Sequence, residues 1–416
     1  DALVSETDAA SSKGTIGTLN LTTSYQDFSF YYTGTGAWDL FIHRKYGETA
    51  GQNQQIYVKS VSVKESTKNN LARVDYDGTA SSLLVEPERT NLIPYSEDFS
   101  QWNGNQVTIE PNAIISPDGT LNASRMTPTT TSSVHLISTS GSTTMAMSVY
   151  AKSNGYHRFR FNSGSSGNGY ASFDLNAGTV LNSGGTYYTS SSIDSVGNGW
   201  YRCTLVLTSG VASVPNLAIE DNSGNVSFIG DGTSAIYIWA GQAEVGSYAT
   251  SYIPTDGSTV TRVKDQYSKT GISNLINSEE GVLFVEIAAL SDDLTYRILS
   301  LSDGTDAERI YIQYTSTTNQ VSAVVKTGSS TQANIQHTLT DETVFSKMAF
   351  KWKANDFAFW IDGVEVGTDT SGSVPSGLNR LALDRQLNTN TFYGKVKQLQ
   401  IFKTALTDPE LVTLTT

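Results

Sequence analysis

Arg158-Phe159-Arg160-Phe161 alternates a cation with an aromatic ring at a period of two. A helix would scatter these four side chains around its axis. A strand puts both rings on one face and both guanidiniums on the other, so the quartet reads as a half-buried β-strand. Moving outward, the same period recurs upstream in Phe28/Phe30/Tyr32 and Met145/Met147/Val149, and downstream in Ile310/Ile312/Tyr314 and Val321/Ala323/Val325. Turn signals punctuate these runs at Asp118-Gly119, Gly184-Gly185, Asp221-Asn222-Ser223-Gly224-Asn225, Asp231-Gly232, Asp303-Gly304 and Asp362-Gly363. Short strands with such turns between them predict an all-β chain of tandem antiparallel β-sandwiches. The best helix signal is the tail, Thr407 to Thr413, where Thr407-Asp408-Pro409-Glu410 supplies a cap and a first-turn proline.

Composition agrees. The 416 residues include 21 Tyr and 15 Phe against 4 Met, a balance that suits pleated surfaces better than helices. The formal net charge of −13 repels phosphate backbones and anionic lipid, which argues against nucleic acid and membrane partners. No apolar run reaches the length needed to span a bilayer as a helix. Cys203 is the sole cysteine, so no intrachain disulfide forms, and the Tyr201/Cys203/Leu205/Leu207 alternation places it on an apolar strand face.

Two composition breaks divide the chain. The expected segments are a partial jelly roll over 1–65, an extended linker over 66–90, a jelly roll over 91–254, a second linker over 255–279, and a last sandwich over 280–416. Within the first, Tyr25 to Tyr32 and Trp38 to Lys45 are expected to pair as a hairpin across Gly34 and Gly36. Ile56 to Val63 would add a strand. This order echoes Trp200 to Val245, which suggests half a jelly roll completed by upstream chain or by a neighbouring subunit.

Leu71-Ala72-Arg73-Val74-Asp75-Tyr76-Asp77-Gly78, then Ser82-Leu83-Leu84-Val85-Glu86-Pro87-Glu88-Arg89-Thr90-Asn91-Leu92-Ile93-Pro94-Tyr95-Ser96-Glu97-Asp98-Phe99-Ser100-Gln101-Trp102, resembles a phrase of phage and prophage structural proteins that leads into a jelly-roll carbohydrate-binding-like domain. Gly199-Trp200-Tyr201-Arg202, Gly241-Gln242-Ala243-Glu244 and Tyr252-Ile253-Pro254-Thr255 fit the same pattern. Residues 280–416 resemble concanavalin A-like (laminin-G-like) domains, through the hairpin around Asp362-Gly363 and the closing run Gly394 to Phe402 followed by Ala405 to Leu411. The resemblance implies a virion-surface protein, whether fibre, tail or head decoration. Its implied partners are other virion proteins and a host cell-surface polysaccharide, and it implies a homo-oligomer, a trimer being favoured. The rival reading is a non-catalytic carbohydrate-binding region of a secreted bacterial polysaccharide-degrading enzyme.

The residues themselves give little sign of catalysis. The four histidines are isolated, and no zinc spacing, phosphate-cradling loop or nucleophile elbow is present. The Glu-x-Asp-x-Glu pattern that would bring two carboxylates to a sugar on one strand is absent, so the chain reads as a non-enzyme. Hard oxygens at Asp221, Asn222, Asn225 and Asp231 make a candidate structural calcium site, against the plainer reading that Asp and Asn simply favour turns. For sugar contact the candidates are Trp239 and Tyr237, which face away from Ile236 and Ile238, together with Tyr187, Tyr188, Arg158 and Arg160.

Overall fold

The computed structural model describes residues 2–7, 12–19 and 39–44 as backbone, and residues 72–416 apart from 78–79, 140–145, 165–166, 209–214 and 386–388. Two units result, 1–71 and 72–416.

In the first unit, Ala2–Thr7 is the central strand of a three-stranded antiparallel sheet between Ser12–Leu19 and Asp39–Arg44. The first two strands carry no alternation strong enough to be singled out in the sequence. Asp39–Arg44 falls within the expected Trp38 to Lys45 strand, and it pairs with Ala2–Thr7. Tyr25 to Tyr32 and Ile56 to Val63 lie outside the described residues.

The second unit holds two sandwiches. In the first, a six-stranded sheet runs in the order Tyr188–Gly197, Trp200–Leu207, Ala146–Asn154, Ala235–Glu244, Leu121–Pro128, Val107–Ile115. It faces a seven-stranded sheet ordered Thr179–Gly184, Tyr170–Asp174, Arg158–Ser163, Pro215–Glu220, Ser132–Ser138, Ser227–Ile229, with Asn103–Asn105 also on Ser132–Ser138. Phe159, Phe161, Phe173, Leu217 and Ile219 from one sheet meet Met147, Val149, Cys203, Leu205, Ile236 and Ile238 from the other in a single buried cluster. Alternation therefore assigns faces correctly here, Cys203 included.

The second sandwich packs the sheet Ser268–Thr270, Arg380–Ala382, Arg297–Ser302, Arg309–Tyr314, Gln320–Thr327, Ser330–Thr338 against Val364–Asp369, Phe357–Ile361, Ser346–Lys353, Glu280–Ala289, Gly394–Phe402, Ala80–Val85, Arg73–Asp77. Glu280–Ala289 is apolar on both faces for a reason. Leu283, Val285 and Ile287 enter the core, while Val282 and Phe284 are covered by the helix Asp408–Thr415 through Leu411. The helix begins with a capping box of Thr407 and Glu410. Asp362 and Gly363, at φ 47° and 82°, make the tight turn expected between Phe357–Ile361 and Val364–Asp369.

Two expected linkers are built differently. Within 66–90, Arg73–Asp77 and Ala80–Val85 form a hairpin that extends the last sheet, with Val85 opposite Gly394 and fully buried. The second sandwich is thus assembled from both sides of the first. In the other linker, Val260–Arg262 returns antiparallel to Arg89–Asn91. Buried Glu86 joins the two crossings, taking Arg73 Nε at 3.0 Å and Arg262 Nη1 at 3.1 Å, while Arg73 also pairs with Asp265.

Candidate functional site

Because Phe159 and Phe161 enter the core of the first sandwich, Arg158 and Arg160 stand on the outer face of the seven-stranded sheet. Their cross-strand neighbours share that face. Arg160 lies opposite Ser172 and Ala218, Arg158 opposite Asp174 and Glu220, and Asn162 opposite Tyr170 and Asn216. The same alternation that sends Ala171, Phe173, Leu217 and Ile219 into the core puts Tyr170, Ser172, Asp174 and Glu220 on the arginines' side of the sheet, where Ser172, Asp174 and Glu220 are themselves buried. The outcome is a polar strand face in three rows, bordered by exposed Asn182 opposite Ser172.

The charges on this face are mutually fixed. Arg160 Nε donates to Glu220 Oε1 at 2.9 Å and to Ser172 Oγ at 3.1 Å, and Ser172 Oγ donates to the same carboxylate oxygen at 2.8 Å. The Arg160 guanidinium lies over the Tyr170 ring, 4.6 Å from its centroid. Asp174 sits 3.8 Å from both Arg158 Nε and His157 Nε2. Burial pushes its carboxyl up, but hydrogen bonds from the Ala177 and Asn176 amides and the charges of His157 and Arg158 outweigh burial and hold it below the usual range. One acceptor remains over: Asn162 Oδ1 is shielded from solvent and has no hydrogen-bond partner among the described residues.

The other sugar-contact candidates lie elsewhere. Tyr237 and Trp239 do face away from Ile236 and Ile238, but on the outer face of the six-stranded sheet, across the sandwich from Arg160. Trp239 is 6% exposed, packed between Tyr150 and Tyr252 with ring centroids 5.0 and 5.2 Å away, so it offers no open stacking surface. Alternation gives a side chain's face but not what covers it; here Tyr252 arrives from the returning chain, held by Ser96 Oγ at 2.6 Å and Glu97 Oε1 at 3.0 Å. Tyr187 and Tyr188 lie at the corner where the chain passes from Thr179–Gly184 in one sheet to Tyr188–Gly197 in the other. Tyr187 is exposed, while Tyr188 packs partly on the core and its hydroxyl meets Ser191 Oγ at 3.1 Å.

The carboxylates of the candidate calcium set accept hydrogen bonds in turns, and Asn222 Oδ1 also accepts one. Asp221 accepts from the Ser223 and Asn225 amides at 2.9 and 2.8 Å and from Asn225 Nδ2 at 2.8 Å. Asn222 Oδ1 accepts from the His157 amide at 3.2 Å, and Asp231 accepts from the Thr233 and Ser234 amides at 2.8 and 2.7 Å. Hydrogen bonds from the Ser234 side chain and from the Thr233 and Ser234 amides hold the Asp231 carboxyl down at about 2. Asp221 and Asp231 thus accept turn hydrogen bonds, Asn222 accepts from His157, and Asn225 donates to Asp221. Among the described residues no three His, Cys, Asp or Glu side chains are grouped to hold a metal ion.

Glu220, Asp174, Tyr170, Ser172, Asn162 and Asn182 complete the face and were not singled out in the sequence. The available signal was the register: two strands whose odd-numbered residues Ala171, Phe173, Leu217 and Ile219 are apolar, set beside Arg158–Ser163, must place their even-numbered residues with the arginines.

Residues 283–412 match the family model described as the concanavalin A-like lectin/glucanases superfamily, so that stretch is similar to domains of that kind. No curated protein sequence matches the chain. Among solved structures, the Ruminococcus gnavus IT-sialidase CBM40 is 16% identical, covering 36% of this chain and 98% of that one at a TM-score of 0.31. The heptameric SAP-like pentraxin of Limulus polyphemus is 12% identical over 36% and 76%, with a TM-score of 0.30. Domains LG4-5 of the mouse laminin alpha1 chain are 11% identical over 80% and 92%, with a TM-score of 0.25. Scores this low do not establish a shared overall arrangement.

Proposed function

We propose that this chain is a non-catalytic, glycan-binding component of a bacteriophage virion surface, and that the strand face around Tyr170 meets the host polysaccharide. One observation carries the glycan reading. On a single sheet face a tyrosine ring stands against a guanidinium fixed by Glu220 and Ser172, near Asn162 Oδ1, a shielded acceptor without a hydrogen-bond partner among the described residues. A sugar ring offers C–H faces to an aromatic plane and hydroxyls that both donate and accept, which suits that combination. The concanavalin A-like lectin/glucanase match over 283–412 supports the same direction. The virion setting, with other virion proteins as partners and a trimeric assembly, rests on the phrase spanning residues 71–102. Many copies on one particle make a weak single site sufficient through avidity.

The test is a glycan array with the full chain, wild type against Tyr170→Ala and Asn182→Ala. Binding that both substitutions weaken, at unchanged melting temperature, is expected. Array binding that neither alters overturns the site, and release of new reducing ends from any bound polysaccharide overturns the non-catalytic reading.

A further inference from the structure

Where the two sandwiches of the 72–416 unit meet, a cleft of about 250 Å³ opens. Arg89 and Tyr248 line it from the first sandwich and its entry strand. Asp293, Tyr296, Arg297 and Tyr393 line it from the second. That volume suits roughly one sugar ring, below the size of most small-molecule pockets.

Arg89 is the unusual member. Apart from Arg202, whose Nη2 is taken by Thr250 O and Ser148 Oγ, every other arginine with a described side chain lies within 4 Å of a carboxylate. Arg89 has no such carboxylate among the described residues. Its Nη1 donates to Glu88 O at 3.1 Å, its Nε is shielded and without a partner, and its guanidinium lies over the Tyr248 ring at 5.4 Å. The carboxylate inside the cleft is already committed, since Asp293 accepts from Arg297 Nη2 at 2.5 Å, from Ser247 Oγ at 3.1 Å and from Thr295 Oγ1 at 2.6 Å. Tyr296 is 45% exposed at the lip and Tyr393 is half-buried. An arginine with no carboxylate within 4 Å among the described residues, in a chain of net charge −13 and with three tyrosine rings in the same cleft, has the chemistry to take an anion attached to a ring.

We propose that this cleft is a second saccharide site, selective for a sugar that carries a carboxylate, with Arg89 holding the carboxylate and the tyrosines flanking the ring. The sugar class rests on the glycan reading above; the site and its charge preference do not. The experiment titrates the full chain with oligogalacturonate and with a neutral galactose oligomer of equal length. Expected is an affinity at least about tenfold higher for the acidic oligomer, roughly the contribution of one charge-assisted pair, and lost in Arg89→Gln. Tyr296→Ala, an exposed position, should weaken the same binding and guards against misfolding of the Arg89 variant. Equal affinity for acidic and neutral oligomers, or wild-type affinity in both variants, overturns the proposal. Acidic-sugar binding that Tyr170→Ala abolishes moves the sugar to the sheet face and overturns the cleft alone, whereas a wild type that binds no saccharide overturns both readings.

Discussion

Asn91 donates from Nδ2 to the carbonyl of Ile253 at 2.9 Å, joining the entry and exit of the first sandwich across 162 positions. Its second amide proton goes to Gly241 O at 3.2 Å, while Oδ1 accepts from the Ile93 and Ala243 amides, both at 3.1 Å. The side chain's two donors and two lone pairs are all used in a fully buried place. Nearby, Gln242 Oε1 accepts from the Ile253 amide at 2.6 Å, and a Cβ on Gly241 would lie 3.0 Å from Trp102 Cζ2. The separated pieces of the sequence phrase are thus parts of one buried polar joint.

That joint gives a sharp mutational expectation. In Asn91→Asp, oxygen lone pairs would face the carbonyls of Ile253 and Gly241 where N–H groups now donate. Leaving two buried acceptors unpaired costs about 2–6 kcal/mol, at 1–3 kcal/mol each, before any charge is counted. Urea unfolding should show at least the lower figure. A loss under 1 kcal/mol would mean that the joint does not hold the sandwich closed.

Gly281 offers a packing test in the second sandwich. A Cβ there would meet Trp352 Cζ2 at 2.4 Å and Phe402 O at 2.5 Å, and the latter is backbone in a paired strand. Gly281→Ala should therefore cost about 1–3 kcal/mol, the usual range for overpacking, despite alanine's lower backbone entropy cost. Thermal melting would read it directly, with an unchanged or raised Tm refuting the clash.

How far the sequence was legible follows from the range of each signal. Phe159 and Phe161 announce their strand and face within four residues, and Thr407 to Glu410 announces the capped helix; both are local and both are present. The Ala80–Val85 strand pairs with Gly394–Phe402, more than 300 positions away, and no local pattern encodes that partner, so the stretch reads as linker. Trp239 fails for a related reason: its face is legible and its cover, Tyr252, is not. The face of Arg158 and Arg160 was legible because charge opposite an aromatic strand face is conspicuous. Glu220 and Asp174 stayed hidden until register placed them beside the arginines.

Glu342 should make stability depend on pH. Its side chain is 2% exposed, with Oε1 3.3 Å from Arg297 Nη1 and Oε2 shielded without a partner. Burial, then the charge of Asp292, push its carboxyl up; Arg297 opposes them and Asp293 and Asp341 add to the rise, leaving it at about 7. A folded-state pKa above the ordinary 4.5 means that the folded chain holds a proton the unfolded chain has released. This group's contribution is therefore most favourable below about 4.5, falls as pH rises to about 7, and is flat above. The span corresponds to about 3 kcal/mol at 1.36 kcal/mol per unit. Glu342→Gln removes the slope, so the stability of the variant relative to wild type should rise by that order between pH 4.5 and 8. A pH-independent difference would mean that Glu342 titrates normally.

The Glu86 crossing makes the last expectation, and it reverses the simplest view of a linker. A stretch rich in Ser, Thr and Gly between two sandwiches would ordinarily be the first place a protease cuts. Here Thr255 and Asp265 are buried, and Arg262 is tied by Nη1 both to Glu86 Oε2 at 3.1 Å and to Ser251 O at 3.0 Å. Glu86 Oε1 accepts from the Ser251 amide at 2.7 Å, and the Glu86 amide donates to Asp265 Oδ2 at 2.8 Å. Trypsin should therefore cut slowly after Arg262 and Lys264 in the native chain. Glu86→Ala removes the shared anion and leaves Arg73 and Arg262 facing one another near Asp265 alone, a change worth about 3–5 kcal/mol for a buried pair broken on one side. Local opening would then precede global unfolding. Cleavage after Arg262 should accelerate at least tenfold in the variant, as each 1.4 kcal/mol of opening energy is worth that factor. Equal cleavage rates in wild type and variant would show that the crossing opens freely and that Glu86 does not hold it.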